Sequence, residues 1–387
     1  MTGSSTQRNA ETIREARQLV GDLMVPKPWV YWTDLLISTF IGYGCALLYL
    51  TAFVTDPETH AWTPFRWYHG VAFFVAGFAL YRVALMMHEI VHFKKGEMVA
   101  FKVVWNLLVG VVLLIPSFLY ESHICHHNTH HYGTSNDGEY LPLAGGRYRQ
   151  LWIFLLQIFV LPGLTAVRFL VITPISFLHP KLREWTLHHA SSFVINFRHY
   201  REIPANAPRR LWAIIDILCF LRTAGIFVAL FLGAYEWPRI IMMYLLAMFV
   251  LGINHVRTMV AHRYLSHGET MSHVDQLSDS INIEGNRLIT SLVCPVGLQY
   301  HALHHLFPSL PYHHLGAAHR RLMEQLPAGS PYHEATFPGF IYAFRRLLQS
   351  VSQSRMKSPQ PAELWYESQG HVKAAEVDAE RSRSVTA

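Results

Sequence analysis

The sequence predicts an all-α integral membrane protein with about four transmembrane helices arranged as two hairpins. Composition is the first reason, because 51% of the 387 residues are apolar and only 15% are charged, whereas soluble domains carry about 25% charged residues. The second reason is that several apolar runs are long enough to cross the roughly 30 Å hydrocarbon core of a bilayer as a helix. The net charge of +6 suits loops that face anionic lipid headgroups.

Four apolar runs supply the predicted transmembrane helices. The first two cover about residues 31–54 and 68–87, and a short link that contains two tryptophans separates them. The other two cover about residues 211–235 and 240–253, with the link EWPR between them. The last run is short, so its helix is expected to continue into the histidine-bearing segment that follows.

Two further apolar stretches contain helix-breaking residues. Residues 103–120 include Gly110 and Pro116, and they are predicted to be re-entrant or interfacial, because a crossing would separate the histidine clusters on either side. Residues 151–178 are interrupted by Pro162, Gly163 and Pro174. They are predicted to form either an in-plane pair of helices or a tight hairpin, which leaves the sidedness of the chain unchanged.

Basic residues set the predicted orientation. Arg17 and Lys27 precede the first run, while Lys94 and Lys95 follow the second. Because basic residues are retained on the cytoplasmic side, both ends of the first hairpin are expected there. The predicted organisation is a polar cytoplasmic segment at 1–28, a membrane domain at 29–349 and a disordered polar tail at 350–387. No basic run interleaved with aromatic residues suggests binding to nucleic acid.

Histidine is the anomaly of the composition, with 25 residues against 26 acidic residues. Three compact clusters follow apolar runs, and on a helix the spacings i, i+3 and i+4 place their rings on one face. Imidazole is the commonest neutral metal ligand of proteins, so the clusters predict a metal centre. Their members are His88 and His92, then His123, His126 and His127, and finally His301, His304 and His305.

The first cluster also matches HExxH, the zinc-protease motif in which Glu89 would be the general base. Catalytic zinc uses three protein ligands and has no redox chemistry. Eight or more histidines are enough for two metal ions, and two iron ions could take up electrons and activate O₂. The di-metal reading is therefore favoured, with Glu89 as a neighbour of the ligands or a surface residue. The zinc protease and a histidine-rich metal carrier remain as remote alternatives.

The three clusters and their spacing resemble the histidine boxes of the membrane fatty acid desaturase family and its hydroxylase and carotenoid-modifying relatives. The match runs from about residue 30 to 345 and includes YGTSNDGEY after the second box and HALHHLFPSLPYHHL around the third. The resemblance implies a small helical bundle in the membrane, below a cytoplasmic helical cap that holds a di-iron site. It also implies that no catalytic residue is needed beyond the metal ligands.

The resemblance further implies one more histidine ligand after the fourth membrane helix. His262 is the preferred candidate and His255 is the weaker one, while Thr258 stands where acyl-CoA desaturases have a site-linked Asn. In the second box His123, His126 and His127 are favoured, and the register His127, His130 and His131 remains open. Asp137 and Glu139 could either bond the outer nitrogens of ligands or lie in a solvated turn.

The implied reaction depends on O₂ as co-substrate and two iron ions as cofactor. Desaturation of a long-chain fatty acyl or lipid substrate is the main prediction. Hydroxylation or oxidative decarboxylation of a fatty acid, alkane or carotenoid-like substrate is the alternative. No haem-binding HPGG segment is present in the sequence, so electrons are expected from a separate ferredoxin, rubredoxin or cytochrome with its reductase.

Overall fold

The computed structural model describes residues 13–56, 58 and 61–368, and these are mostly helical. Residues 13–20 and 361–368 are helical, and π-helical turns cover Asn106–Gly110 and Arg168–Ile172. Short 3₁₀ turns cover Gly21–Leu23 and Ser117–Tyr120. The α-helices, numbered in chain order, are α1 (Pro28–Tyr49), α2 (Trp67–His92), α3 (Val99–Trp105), α4 (His123–His126), α5 (Tyr148–Val167), α6 (Thr173–Ser176), α7 (Pro180–His189), α8 (Arg209–Phe231), α9 (Trp237–Met259), α10 (His273–Asp279), α11 (Arg287–Val293), α12 (His301–Leu306), α13 (Tyr312–Gln325), α14 (Pro331–Glu334) and α15 (Phe340–Ser354).

Five helices among the described residues are long and apolar enough to cross a membrane, namely α1, α2, the continuous run Tyr148–Ser176, α8 and α9. Only 17–50% of the residues in their apolar windows are buried inside the protein. The remaining apolar side chains face outward, which in water would be unfavourable and in a bilayer is the stable arrangement. The predicted all-α membrane architecture is therefore confirmed.

The first hairpin is fixed to the cap by one acidic side chain in the membrane. Arg82 of α2 donates to both oxygens of Asp34 on α1, at 2.7 and 2.5 Å. The same carboxylate accepts the Tyr312 hydroxyl of α13 at 2.8 Å. A charge within a transmembrane helix is tolerated when such partners satisfy it. The pair therefore sets the position of α13 relative to both helices.

The elements after Met259, together with residues 123–147, form a helical cap over the ends of α2 and α9. Its cores contain Tyr132, Tyr140 and Leu347 on one side and the α12–α13 region packed on α2 on the other. A two-residue parallel sheet, β1 (Asn282–Ile283) with β2 (Thr336–Phe337), joins distant parts of the cap. As predicted, α9 continues past the short apolar run and ends three residues before His262.

The apolar stretch after α2 turns back on itself, as predicted. Its helix ends at Gly110, and Leu114 adopts a left-handed backbone conformation in the turn that follows. The Asn106 side chain donates to Ser117 Oγ and accepts the Ser117 backbone N–H, which ties the returning chain to the outgoing one. The histidines before and after this stretch consequently lie at the same end of the bundle.

The prediction for residues 151–178 was wrong, because Tyr148–Ser176 is one continuous helical run and not a pair of helices or a hairpin. Pro162 lies inside α5, where it removes one backbone bond without ending the helix, and the π-helical turn after Val167 absorbs the local distortion. Gln157 packs against His255 of α9, while Arg168 forms an ion pair with Asp216 of α8.

The tail also differs from its prediction. Residues 350–368 are folded rather than disordered, since α15 extends to Ser354 and residues 361–368 are helical. Trp365 is fully buried and donates its indole N–H to the Gly133 carbonyl at 2.7 Å, so this segment covers the loop after the second histidine cluster. Residues 1–12 and 369–387 lie outside the described part of the chain. In the N-terminal segment, Ala16 and Val20 are buried against the main core.

Candidate metal centre

His88 and His92 project from the last two turns of α2. They are four residues apart, so their rings lie on one face of the helix, with centroids 5.4 Å apart. The Nε2 atoms of both are buried and have no hydrogen-bond partner among the described residues. A buried polar atom without a partner is costly in a folded protein, so both nitrogens are free to bind another group.

The second cluster brings its rings to the same point from the short helix α4. The Nε2 atoms of His123 and His127 are 3.0 Å apart, and the His92 and His127 ring centroids are 4.8 Å apart. His126 points to the other side, where its ring lies 5.2 Å from that of His262. His123 and His127 therefore face one possible metal position, and His126 faces a second one.

The third cluster completes both positions from α12. His304 Nε2 is 3.0 Å from His127 Nε2, while His301 Nε2 is 3.0 Å from His262 Nε2. His262 reaches this point because it follows α9 directly and forms a β-bridge with Ser280. His305 Nε2 lies 3.1 Å from His301 Nε2.

The histidines thus form two groups, and the possible ligand atoms within each lie within 4.8 Å of one another. We name them the five-histidine group (His88, His92, His123, His127 and His304) and the four-histidine group (His126, His262, His301 and His305). The groups are neighbours, because the His127 and His305 rings are only 4.4 Å apart. All nine residues singled out from the sequence are brought together here.

The distances within each group fit metal ions. For metal–nitrogen bonds of about 2.1 Å, ligands at right angles lie about 3 Å apart, which matches the Nε2–Nε2 distances of 3.0 Å. Burial, followed by the neighbouring imidazoles, lowers the pKa of the cap histidines well below the usual value. Neutral imidazoles carry the lone pair that a metal needs. The donor set therefore fits two metal ions.

Three carboxylates orient the rings from outside. His123 Nδ1 donates to Glu139 at 2.8 Å, and His126 Nδ1 donates to Asp137 at 2.8 Å. Such contacts fix the proton on Nδ1 and direct Nε2 toward the metal position. Burial is the largest influence on the pKa of His126 and lowers it, but the charge and hydrogen bond of Asp137, together with the charges of Glu139 and Asp279, raise the pKa on balance. The sequence left open whether Asp137 and Glu139 bond the ligands or lie in a solvated turn. They bond the ligands, and Asp137 is fully buried.

The third carboxylate acts through a tyrosine. Tyr132 OH donates to Asp279 at 2.7 Å and accepts from His262 Nδ1 at 2.8 Å. Neither residue was identified from the sequence. Asp279 is 17 residues after His262, and no local spacing links an isolated acid to a histidine across that distance. The one feature of the sequence that could have pointed to Tyr132 is its place at the start of the segment YGTSNDGEY, directly after the second cluster.

The remaining histidines lie outside both groups. His255 packs against Phe154 and bonds the Leu251 carbonyl, so it does not take the place of His262. His130 and His131 are absent from both groups, which favours the register His123, His126 and His127. His314 bonds the Leu23 carbonyl at 2.7 Å and is in neither group.

Glu89 is buried, so it is not a surface residue, and it lies in the wall of the same cavity as His92. Its buried carboxylate accepts the Tyr31 hydroxyl at 2.8 Å and the Tyr312 backbone N–H at 3.1 Å. In a HExxH protease this carboxylate would face the metal-bound water. Here its two hydrogen bonds link α1, α2 and α13.

A cavity of about 700 Å³ reaches the centre beside the N-terminal segment. His92, His127 and His305 form part of its wall, together with Met24 and Phe307. Both histidine groups are therefore accessible from this side, the five-histidine group through two of its members.

Comparison with known proteins identifies the family. The fatty acid desaturase family model matches residues 65–336, which include all nine histidines. The chain is also 36% identical over 359 residues to a ceramide hydroxylase of Caulobacter vibrioides (strain NA1000 / CB15N), covering 91% of this chain and 98% of the relative. The resemblance noted in the sequence is thus confirmed. The chain belongs to the fatty acid desaturase family, a family of histidine-box lipid oxidoreductases.

Proposed function

We propose that the protein is a membrane-bound, O₂-dependent di-iron hydroxylase that acts on a ceramide-type lipid. The similarity to a ceramide hydroxylase over 91% of the chain is the observation that carries this proposal. It favours the hydroxylase alternative over desaturation, which was the main prediction from the sequence. The nine histidines in two adjacent groups support the di-iron part of the proposal, since they supply ligands for two ions.

The proposed reaction replaces one C–H bond of the lipid with C–OH. One oxygen atom of O₂ enters the product, the other leaves as water, and the balance requires two electrons and two protons from outside. Two irons, when bound, supply the redox chemistry that activates O₂ for attack on an unactivated C–H bond. All nine proposed ligands are neutral histidines, in contrast to the carboxylate-rich soluble di-iron bundles.

The chain's own part in the reaction is to hold the ligands rigidly. Asp137, Glu139 and the Tyr132–Asp279 pair keep a proton on the outer nitrogen of three imidazoles. Because Asp137, Tyr132 and Asp279 are buried and Glu139 is mostly so, the rings do not need to reorient during turnover. Seven of the nine histidines are buried, which limits contact of the centre with bulk water.

Electrons for this reaction would come from a separate donor protein and its reductase. Lys94, Lys95 and Arg320 are exposed near the cap and could dock an acidic donor. Arg321 is less available, because it is paired with Asp22 of the N-terminal segment. Docking by charge predicts donor-supported turnover that falls steeply with salt. Turnover independent of salt would contradict this docking mode.

For the orientation we propose four crossings, with the histidine groups on the cytoplasmic side. Tyr148–Ser176 would then be the one candidate helix that does not cross. Its first turns pack with Met259 at the end of α9, and Arg168 near its other end pairs with Asp216 in the second turn of α8. Both contacts lie toward the ends of α8 and α9 that adjoin the cap.

Product analysis tests the proposal. The purified protein is reconstituted with iron, an electron donor, its reductase, ¹⁸O₂ and ceramide, and the lipid is examined by mass spectrometry. Gain of one labelled oxygen supports hydroxylation, whereas loss of two hydrogens would establish desaturation instead. His130→Ala is the matched control for His304→Ala, because His130 is exposed and outside both groups. The control variant should retain iron and turnover.

A further inference from the structure

The cavity beside the metal centre has room for a ligand. Its volume of about 700 Å³ lies within the range of about 300–1,000 Å³ that is typical of small-molecule sites. Its wall contains His92 and His127 of the five-histidine group and His305 of the four-histidine group. A molecule in the cavity therefore lies beside both groups, where the His127 and His305 rings are 4.4 Å apart.

Exposed residues of the wall mark the mouth of the cavity. Arg17, Val25 and His273 are exposed members of the wall, and Val25 is 68% exposed. Trp29, in the first turn of the transmembrane helix α1, is also 68% exposed. Exposed apolar and tryptophan side chains at the start of a transmembrane helix are typical of the membrane interface. The mouth is therefore placed where a membrane lipid can reach it.

Apart from the histidines, the polar groups that are available to a ligand lie at the mouth. Arg17 forms no ion pair within the described ranges of the chain, so its exposed guanidinium is free to donate to a lipid oxygen. In the interior, Phe307 and Leu310 are only 7% and 1% exposed. Tyr31 and Glu89 are buried there as well, but they are hydrogen-bonded to each other at 2.8 Å. The cavity thus suits a lipid whose polar end stays at the mouth and whose chain extends toward the histidines.

The N-terminal segment, residues 13–26, supplies part of this wall and is held firmly in place. Ala16 and Val20 are buried against the main core. Asp22 forms an ion pair with Arg321 of α13 at 2.5 Å. The segment is therefore a fixed part of the cavity.

The same segment lies outside the part of the chain that the family shares. The family match covers residues 65–336 and includes all nine histidines. The N-terminal wall residues Ile13, Met24 and Val25 precede that match. A wall outside the shared region can differ between relatives without a change in the metal ligands. It is therefore suited to select the substrate while the histidines carry the common chemistry.

We propose that residues 13–26 are the specificity-determining wall of a lipid-binding cavity. The occupant is the substrate, a long-chain lipid with an uncharged polar end that offers hydroxyl or amide oxygens. Met24 and Val25 contact its chain, and Arg17 donates to an oxygen of its polar end. This inference rests on the proposed function, because the lipid class is that of the ceramide hydroxylase to which the chain is similar.

Kinetics of two Met24 variants test this role, with Leu23→Ala as the matched control. Leu23 adjoins Met24 and is likewise partly buried against the main core, but it is not part of the cavity wall. Met24→Trp fills space in the cavity and should raise the KM for ceramide about 10-fold or more. Met24→Ala widens the cavity and should change the ratio of kcat/KM between ceramides with long and short N-acyl chains by about 5-fold. Leu23→Ala should match the wild type in both measurements, and all three variants should retain iron.

Photolabelling measures occupancy of the cavity without turnover. The iron-loaded protein is irradiated with a ceramide that carries a diazirine in its N-acyl chain, in the absence of an electron donor. Mass spectrometry should find label on the peptide that contains Met24, and excess unlabelled ceramide should prevent it. Met24→Trp should reduce this label about 10-fold or more, whereas Leu23→Ala should not. Label that unlabelled ceramide does not displace would show contact with bulk lipid and would overturn the inference.

The outcomes separate this inference from the proposed function. If the wild type binds ceramide at Met24 in a displaceable way but does not hydroxylate it, the proposed reaction is refuted and the cavity assignment is supported. If the wild type hydroxylates ceramide, but both Met24 variants keep the KM and chain preference of the wild type, the role of the N-terminal wall alone is refuted. If Met24→Trp does not fold, Met24→Ala carries the test, because it removes atoms and adds none.

Discussion

The two histidine groups differ in how the protein supports them. The four-histidine group has two fully buried carboxylates behind it, Asp137 and Asp279. The five-histidine group has one, Glu139, whose side chain is 18% exposed. Two members of the five-histidine group, His88 and His92, come from a transmembrane helix. Two of its members, His92 and His127, line the cavity. On the proposed di-iron assignment we therefore expect the four-histidine group to hold its ion more tightly, and the five-histidine group to be the more accessible one.

Charge explains why this difference matters for metal binding. A buried carboxylate hydrogen-bonded to a ligand makes the imidazole more basic and compensates part of the charge of the ion. Two buried acids serve four ligands in one group, Asp137 directly and Asp279 through Tyr132, while the partly exposed Glu139 serves five ligands in the other. The group with more histidines therefore has the weaker carboxylate support, and the group with fewer histidines has the stronger support. Removing ligands and removing supports should consequently affect the two groups differently.

The largest effect is expected from removing a ligand. Both His301→Ala and His304→Ala should abolish turnover, because each leaves one ion incompletely held. His301→Ala leaves three imidazoles in its group, whereas His304→Ala leaves four. Iron analysis of the purified variants should therefore show a greater loss in His301→Ala. Full activity of His304→Ala would contradict the assignment of the site, and equal retention of iron would contradict the comparison.

A smaller effect is expected from removing a support. Asp279→Asn should weaken iron binding about 10- to 100-fold, as is typical when a carboxylate behind a metal-binding histidine is lost. Glu139→Gln should have a weaker effect, since its side chain is partly exposed and water can take its place. Iron affinity is measured by competition with a chelator. A greater loss in Glu139→Gln than in Asp279→Asn would reverse the proposed order of support.

The difference between ligands and supports also explains what could be predicted from the sequence. The nine histidines lie in local patterns or in family motifs, so their convergence was predictable. Asp137 and Glu139 were found because they follow the second cluster closely. Asp279 was not found, because its contact with His262 is made through Tyr132, which comes from a third segment of the chain. Local spacing carries no information about such a contact.

The fold shows the same limit. The hairpins and the returning stretch after α2 were predictable from hydropathy and from the need to bring the histidines together. The continuity of Tyr148–Ser176 was not, because whether Pro162 ends a helix depends on neighbouring helices that compensate the lost bond. The folded segment around Trp365 was missed because it is polar on average, and the buried Trp365 and Ala362 hold it against the cap through hydrogen bonds to the Gly133 and Gly145 carbonyls.

Tyr132→Phe should have a smaller effect than Asp279→Asn. It removes the hydroxyl that connects His262 to Asp279, but the Asp279 carboxylate is already within 3.6 Å of His262 Nδ1. A small shift would let it accept the proton directly, so iron affinity should fall by no more than about 10-fold. Chelator competition on the same scale as for Asp279→Asn measures this. A loss equal to that of Asp279→Asn would show that the tyrosine is the essential partner.

Glu89→Gln should have the smallest effect on the metal centre, although Glu89 lies next to His88 in the sequence. A glutamine oxygen can still accept the hydrogen bonds from Tyr31 and the Tyr312 backbone N–H, so iron content and turnover should remain near those of the wild type. A carboxylate that acts as general base would instead contribute about 100-fold or more to the rate. Turnover and iron content of the variant, measured beside its thermal unfolding, separate the two roles. If turnover is lost while iron content and stability stay normal, Glu89 acts in the reaction, and the HExxH interpretation would apply to the five-histidine group.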